Sequence, residues 1–250
     1  MQVMTFDVAL LPREINAESI RIRSVVVFDV LRATTSMASA LAAGVSEIRV
    51  FDRLDAARAA AGEFQGNRLL CGEEACLPPP GFDLGNSPGA FRPDLHAGRT
   101  LFMCTTNGTR ALVAARQVLH LFIGALVNAT ATADAVARIG LAVTLLCAGT
   151  GGRVALEDVV GAGAVADVLA SAYGFEPATD TARIALRLFR GCRNDLRGVL
   201  AESQGGRNVL GVGLGEDIDY AARLDSLSVA GRVHVDDASS QLIVRAYPEA

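Results

Sequence analysis

The chain contains no lysine, and all 23 of its basic residues are arginine. That absence removes any Schiff-base or pyridoxal-phosphate lysine and the lysine of a P-loop, so whatever anion the protein holds must be held by arginine. An excess of positive charge is also missing. The 27 acidic residues outnumber the basic ones and leave a net charge of -4, so no broad electropositive face is available for a nucleic-acid backbone, and nucleic acid is not expected as a partner. No apolar run approaches the roughly 18 residues needed to cross a bilayer, and the opening MQVMTFDVALLPREIN has no basic segment followed by an apolar core. The expectation is a cytoplasmic protein with no membrane partner. The five cysteines (Cys71, Cys76, Cys104, Cys147, Cys192) are odd in number and have no CxxC or Cys/His metal spacing, which suits thiols kept reduced and used mostly as core filler. Low-complexity tracts, internal repeats and evident linkers are absent as well.

What is present is a chain of 250 residues, 51% hydrophobic and 20% charged, long enough to bury a full core. One domain over 1–250 is the simpler reading, with the residues from about 155 to 250 allowed as a sub-lobe. Short β-branched runs alternate with Ala-rich stretches of helical period. Strands are expected near 24–30, 47–51, 68–71, 100–104, 119–123 and 141–147, and helices near 34–43, 53–62, 108–117 and 129–138, with a Pro/Gly loop over 77–93. Further helices are expected over 156–171, 179–190, 194–203 and 217–227, before closing strands at 232–235 and 242–247. Continuous apolar strands separated by helices imply an α/β fold, a three-layer α/β/α arrangement with a mostly parallel sheet covered on both faces.

In such sheets ligands bind beyond the carboxyl ends of the strands, where loops lead into helix N-termini. The unusual residues of this chain collect there. The first strand above runs into Asp29, Arg32, Thr34 and Thr35, the third into Gly72 and Glu73, the fourth into Thr105-Thr106-Asn107-Gly108-Thr109-Arg110, and 141–147 into Ala148-Gly149-Thr150-Gly151-Gly152. Hydroxyls, an amide, glycines for close backbone approach and arginines for bidentate contact suit phosphoryl transfer. Carboxylates beside a phosphate repel it unless a cation intervenes, so Asp29, Glu73, Glu157 and Asp158 read as oxygen ligands for Mg²⁺. Each feature alone has a plainer reading: Thr34, Thr35 or Asp29 as helix caps, Glu157-Asp158 as an acidic first turn, TTNGT as an ordinary turn. Their coincidence at strand ends favours a site.

Two motifs compete with it. Cys104 to Arg110 satisfies the C-x5-R spacing of cysteine-dependent phosphatases, which would make Cys104 the nucleophile. Gly161-Ala162-Gly163-Ala164-Val165-Ala166 matches a dinucleotide fingerprint but follows ALEDVV, an acidic pair where a buried strand is needed, so close helix packing is the better reading. Asp29 after an apolar strand also suggests a phosphorylated aspartate. The second aspartate such phosphatases place two residues later is here Leu31, and the lysine they use is missing.

The series VVVFDVLRATTS, CGEE, FDLGNSP at 82–88, TTNGTRAL at 105–112 and CAGTGGRVALEDVVGAG at 147–163 resembles the 2-phosphosulfolactate phosphatase family, in order over most of 24–220. The resemblance implies a three-layer α/β fold and a Mg²⁺-dependent phosphatase that converts 2-phospho-3-sulfolactate to 3-sulfolactate and phosphate, a step of coenzyme M biosynthesis. The matching positions are Asp29, Arg32, Thr34, Thr35, Gly72, Glu73, Asn86, Ser87, Thr105, Thr106, Asn107, Gly108, Thr109, Arg110, Asn128, Glu157 and Asp158. The family does not require cysteine at position 104, and the last third matches only loosely, through GRNVLGVGLGEDIDYAA at 206–222. On this reading Asp29, Arg32, Glu73 and Arg110 are catalytic. The metal lies on Asp29, Glu157 and Asp158, with Glu73 a further candidate, and Arg32 and Arg110 neutralise charge on a small anionic phosphorylated substrate. A non-catalytic sensor of an anionic metabolite is the reading from another class, and a homo-oligomer is left open.

Overall fold

The computed structural model describes residues 3–236 and 239–248. Ten strands form one sheet: β1 (Thr5–Ala9), β2 (Ser24–Phe28), β3 (Glu47–Phe51), β4 (Arg68–Gly72), β5 (Thr100–Cys104), β6 (His120–Gly124), β7 (Val143–Cys147), β8 (Glu176–Pro177), β9 (Gly231–Val235) and β10 (Leu242–Ala246). Their spatial order is β4-β5-β3-β10-β9-β6-β2-β7-β1-β8. Pairs within β4-β5-β3 and within β6-β2-β7-β1-β8 are parallel, while β9 and β10 pair antiparallel with each other and with β6 and β3. The fold class is therefore α/β with a mostly parallel sheet, and the closing strands complete its middle.

The inner strands read as they do because both of their faces are covered. Every residue of β2 (SVVVF), β5 (TLFMC) and β7 (VTLLC) is buried, and each fully buried Val, Leu or Phe contributes roughly 1.5–3 kcal/mol against exposure. On one face the helix Ala33–Ala42 packs through Met37, Ala38 and Leu41 on Val25, Ile48, Val233 and Val244. On the other, the helices Ala129–Ile139, Leu156–Tyr173 and Asp180–Cys192 cover β6, β2, β7 and β1, and the helix Leu54–Glu63 covers β4 and β5. Between these two groups β3, β10 and β9 are left open, with Arg49, His234 and Arg245 reaching solvent. The expected two-sided cover thus fails at one strip, because the antiparallel β9–β10 insertion brings no crossover helix with it.

The GAGAVA run lies inside the helix Leu156–Tyr173. A Cβ at Gly161 would stand 2.6 Å from Val30 Cγ2, and one at Gly163 would stand 2.3 Å from the Ala185 carbonyl oxygen. These glycines let the helix press on the strand end that carries Asp29 and on the helix Asp180–Cys192. Close packing, not a cofactor loop, accounts for them.

Candidate active site

The carboxyl ends of β2, β4, β5 and β7 meet in a cleft of about 210 Å³ whose lining includes Asp29, Arg32, Glu73, Asn86, Thr105, Thr106, Asn107 and Thr150. Its far wall comes from the C-terminal third, through Gly205, Asn208 and Val209. Asp29 follows directly on β2 and is 7% exposed. Its backbone N–H donates to Thr34 Oγ1 (3.0 Å), and its Oδ1 accepts from the Ala33 N–H (3.3 Å), so the first turn of the helix Ala33–Ala42 folds back on it. Thr35 Oγ1 donates to the Val30 carbonyl at 2.7 Å and ties down the same turn. Gly108 lets the next loop approach, since a Cβ there would sit 2.9 Å from Ala33 Cβ and 3.0 Å from Asp29 Oδ2.

Burial pushes the Asp29 carboxyl up to about 7, with the Ala33 N–H opposing the rise and the charges of Glu157 and Glu73 adding to it. Behind it, Asp158 accepts from the N–H groups of Val30 (2.8 Å) and Gly149 (2.9 Å), locking the ends of β2 and β7 to the helix Leu156–Tyr173. Burial and the neighbouring Glu157 and Asp29 hold the Asp158 carboxyl well above the usual carboxylate range. Glu157 is 1% exposed, its Oε2 has no hydrogen-bond partner, and burial raises its pKa too. Asp29 in the cleft thus has two further buried carboxylates, Asp158 and Glu157, close enough to raise each other's pKa.

Arg32 lines the same cleft and is itself almost fully buried. Its Nη1 donates to Asp217 Oδ2 (2.6 Å) and Ser87 Oγ (3.2 Å), its Nη2 donates to the Cys76 carbonyl (2.6 Å), and Ser87 Oγ donates to the same Asp217 oxygen (2.9 Å). Three of the five guanidinium N–H donors are used in this way, and the remainder are available to a ligand. Glu73 accepts from Thr106 Oγ1 (2.7 Å) and from the Cys76 N–H (3.1 Å), joining the β4 and β5 loops. Asn86 Oδ1 is buried with no partner, in a side chain that lines the cleft. An orphaned acceptor of this kind is costly unless a ligand completes it.

Residues 9–234 match the family model described as 2-phosphosulpholactate phosphatase. The chain belongs to that family. Among its relatives, a probable 2-phosphosulfolactate phosphatase of Carboxydothermus hydrogenoformans is 36% identical over 235 residues, 94% of this chain and 95% of the relative. A protein of the same description from Deinococcus radiodurans is 43% identical over 202 residues, 80% and 83% of the two chains. One from Prochlorococcus marinus strain MIT 9313 is 41% identical over 211 residues, 82% and 86%. Members of the 2-phosphosulpholactate phosphatase family are phosphoric monoester hydrolases, and this chain is one.

Within that family frame the expected residues divide. Asp29, Arg32, Glu73, Asn86, Thr105, Thr106 and Asn107 meet in the cleft lining. Thr34, Thr35, Ser87, Gly108 and Thr109 support them from beneath: Thr109 Oγ1 donates to the Phe51 carbonyl (3.0 Å) and lies 3.2 Å from Thr105 Oγ1. Asn128 is not brought in. Its Oδ1 accepts from the Ala125 N–H and its Nδ2 donates to the Val229 carbonyl, so its amide joins the end of β6 to the approach to β9. Arg110 is exposed on the helix Gly108–Ala114, outside the cleft lining, so the expected arginine pair is not assembled. Arg32 is paired instead with Asp217, a residue that sequence reasoning passed over along with Asn208.

The structure also bears on the thiol and the metal. Cys104 packs among Ala57, Ala61, Leu70 and Phe102, outside the cleft lining. Burial, with Asp52 and Glu73 adding, pushes its thiol up to about 11, the reverse of what a thiolate nucleophile needs. The variant Cys104→Ala is expected to keep phosphatase turnover within about twofold of wild type, measured as released phosphate. For a cation, no three His, Cys, Asp or Glu side chains converge as a binding group among the described residues. A four-carboxylate cage is therefore not formed: both Asp158 oxygens accept N–H bonds, and Glu157 lies outside the lining. Mg²⁺ needs no such cage, since it keeps several waters and takes one or two carboxylates. Asp29 and Glu73 fit that demand, with the unpartnered Asn86 Oδ1 as a further oxygen donor in the same cleft.

Proposed function

We propose that the chain is a Mg²⁺-dependent phosphatase that hydrolyses 2-phospho-3-sulfolactate to 3-sulfolactate and phosphate, a reaction of the coenzyme M biosynthesis type, and that takes related 2-hydroxy-acid phosphates. The observation that carries the reading is Asp29, a desolvated carboxylate under like charge, set in a cleft whose lining also holds Glu73, threonine hydroxyls, asparagine amides and one arginine. At about 210 Å³ the cleft falls below the roughly 300–1,000 Å³ typical of drug-sized ligands, which suits a three-carbon acid.

Asp29 and Glu73 would hold the ion, which when bound supplies Lewis-acid polarisation and offsets the negative charge of phosphate and carboxylates together. The donors of Arg32 left over from Asp217 and Ser87 bind one anionic group of the substrate and fix its orientation. Asn86 contributes an amide at the same wall. The hydroxyls of Thr105 and Thr106 and the backbone of Asn107 border the position of the transferring group. A water oxygen bonds to phosphorus as the ester P–O bond breaks, and the leaving hydroxy-acid oxygen gains a proton.

Phosphate release measured over a set of 2-hydroxy-acid phosphates, before and after thorough chelation, tests this. The expected result is turnover of 2-phospho-3-sulfolactate that drops at least about a hundredfold without divalent cation and returns with Mg²⁺. Full turnover after chelation overturns the metal, and ligand-dependent thermal stabilisation with no phosphate released overturns the enzyme.

A further inference from the structure

The open strip of the sheet over β3, β10 and β9 holds a second concentration of polar chemistry, unconnected with the cleft. Side chains alternate along a strand, so Arg232 and His234 of β9 and Arg245 of β10 share the face that also carries Phe122 and Arg49. Arg232 and Arg245 stand directly opposite one another across the β9–β10 pair, an arrangement that like charges disfavour. A groove of about 480 Å³ runs here, lined among the described residues by Arg138, Arg232, His234, Arg245, Ala246, Tyr247 and Pro248, none of them a carboxylate.

Among the described residues, the acids bonded to these cations leave positive charge over. Glu47 is bonded to Arg245 (2.5 Å) and to Arg49 (2.8 Å), so one carboxylate serves two guanidinium groups. Among the described residues Arg232 meets neutral groups: the Leu119 carbonyl (3.4 Å), His120 Nδ1 (3.3 Å) and the Tyr247 ring, whose centroid is 5.7 Å away. Its Nε is buried with no acceptor. Arg138 is exposed on the last turn of the helix Ala129–Ile139 at the groove's edge. Burial lowers the pKa of His234 and of His120, and the field of Arg232 pushes both further the same way. In a protein of net charge -4, this is a local inversion of sign held on central strands.

We propose that this groove is a second anion-binding site, separate from the cleft, that takes a small polyanion bearing phosphate, sulfonate or carboxylate groups on Arg232, Arg138 and Arg245. A second copy of the same face is a poorer occupant, because a two-fold contact would set arginine against arginine. The site does not depend on the reaction assigned to the cleft.

The chain's three histidines make the test direct, since His234 lines the groove, His120 Nδ1 lies 3.3 Å from Arg232 Nη2, and His96 lies elsewhere, its ring accepting from the Arg92 N–H. Inorganic pyrophosphate is titrated into the full chain, without divalent cation, while the histidine ring proton signals are followed by NMR. The expected result is saturable movement of the His234 and His120 signals with His96 unmoved. Half-saturation should rise about tenfold in Arg232→Gln, and again in Arg138→Gln, an exposed change that leaves the fold alone. Non-saturable drift of all three signals, or a response that both variants keep, overturns the site. A concentration-dependent dimer that hides His234 before any anion is added overturns it in favour of a self-interface.

Discussion

Asp29→Asn is expected to lose phosphatase turnover by about a thousandfold or more while making the cation-free protein more stable at pH 8. The two effects share one cause. Burial holds the Asp29 carboxyl at about 7 in the folded chain against 3.8 in the ordinary case, so the folded state binds a proton more tightly than the unfolded one. A raised carboxylate pKa works against the fold once the group must ionise. Its cost is small near pH 4, grows as pH rises through the window from about 4 to 7, and is complete above it. The full shift corresponds to about 4 kcal/mol at one pKa unit per 1.36 kcal/mol. The asparagine carries no charge, so thermal melts in chelator should show the variant above wild type at pH 8 and level with it near pH 4. A variant that melts below wild type at pH 8 would mean that Asp29 is compensated by something other than a cation.

The second large effect lies at the Arg32–Asp217 pair. Asp217→Ala is expected to destabilise the protein by about 3–5 kcal/mol, because Arg32 would keep its charge in a buried setting with its carboxylate partner gone. The same change should raise KM more than it lowers kcat, since Asp217 orients Arg32 and does not itself line the cleft. Urea unfolding gives the first number and steady-state phosphate release the second. Replacing both partners, Arg32→Leu with Asp217→Leu, should recover much of the stability and none of the activity, which separates the charge left over from the function lost. A loss below about 1 kcal/mol in Asp217→Ala would mean that Ser87 and the Cys76 carbonyl suffice for Arg32.

The sequence made the parallel core and the strand-end rim legible, because β2, β5 and β7 are covered on both faces and read as unbroken apolar runs. Asp29, Glu73 and the Thr105–Asn107 loop were found through that logic. β1 was missed, since TFDVA is short and only partly covered. The helix Gln204–Gly211 was also missed: its first turn carries Gly205 and Gly206, poor helix formers that the fold overrides with a Ser203 cap accepting from the Gly206 N–H at 2.9 Å. Losing that helix hid Asn208, and Asp217, at the start of the helix expected over 217–227, was passed over within the loosely matching GRNVLGVGLGEDIDYAA. Arg110 and Asn128 belong to matching motifs, yet their side chains are turned to solvent and to a structural amide bridge respectively. A motif fixes neighbours in sequence and leaves the direction of each side chain to packing.

The order of the sheet bears finally on how the chain is made. β3 has only β5 and β10 as neighbours, and β6 meets β3's half of the sheet only through β9 and β10. A nascent chain stopped short of residue 231 would therefore carry two separate parallel sheets, each with an unpaired apolar edge that invites mispairing. Synthesis must deliver β9 and β10 before the two halves join. The Asp217 that braces Arg32 also arrives late, so the cleft gains its second wall only shortly before the sheet is closed.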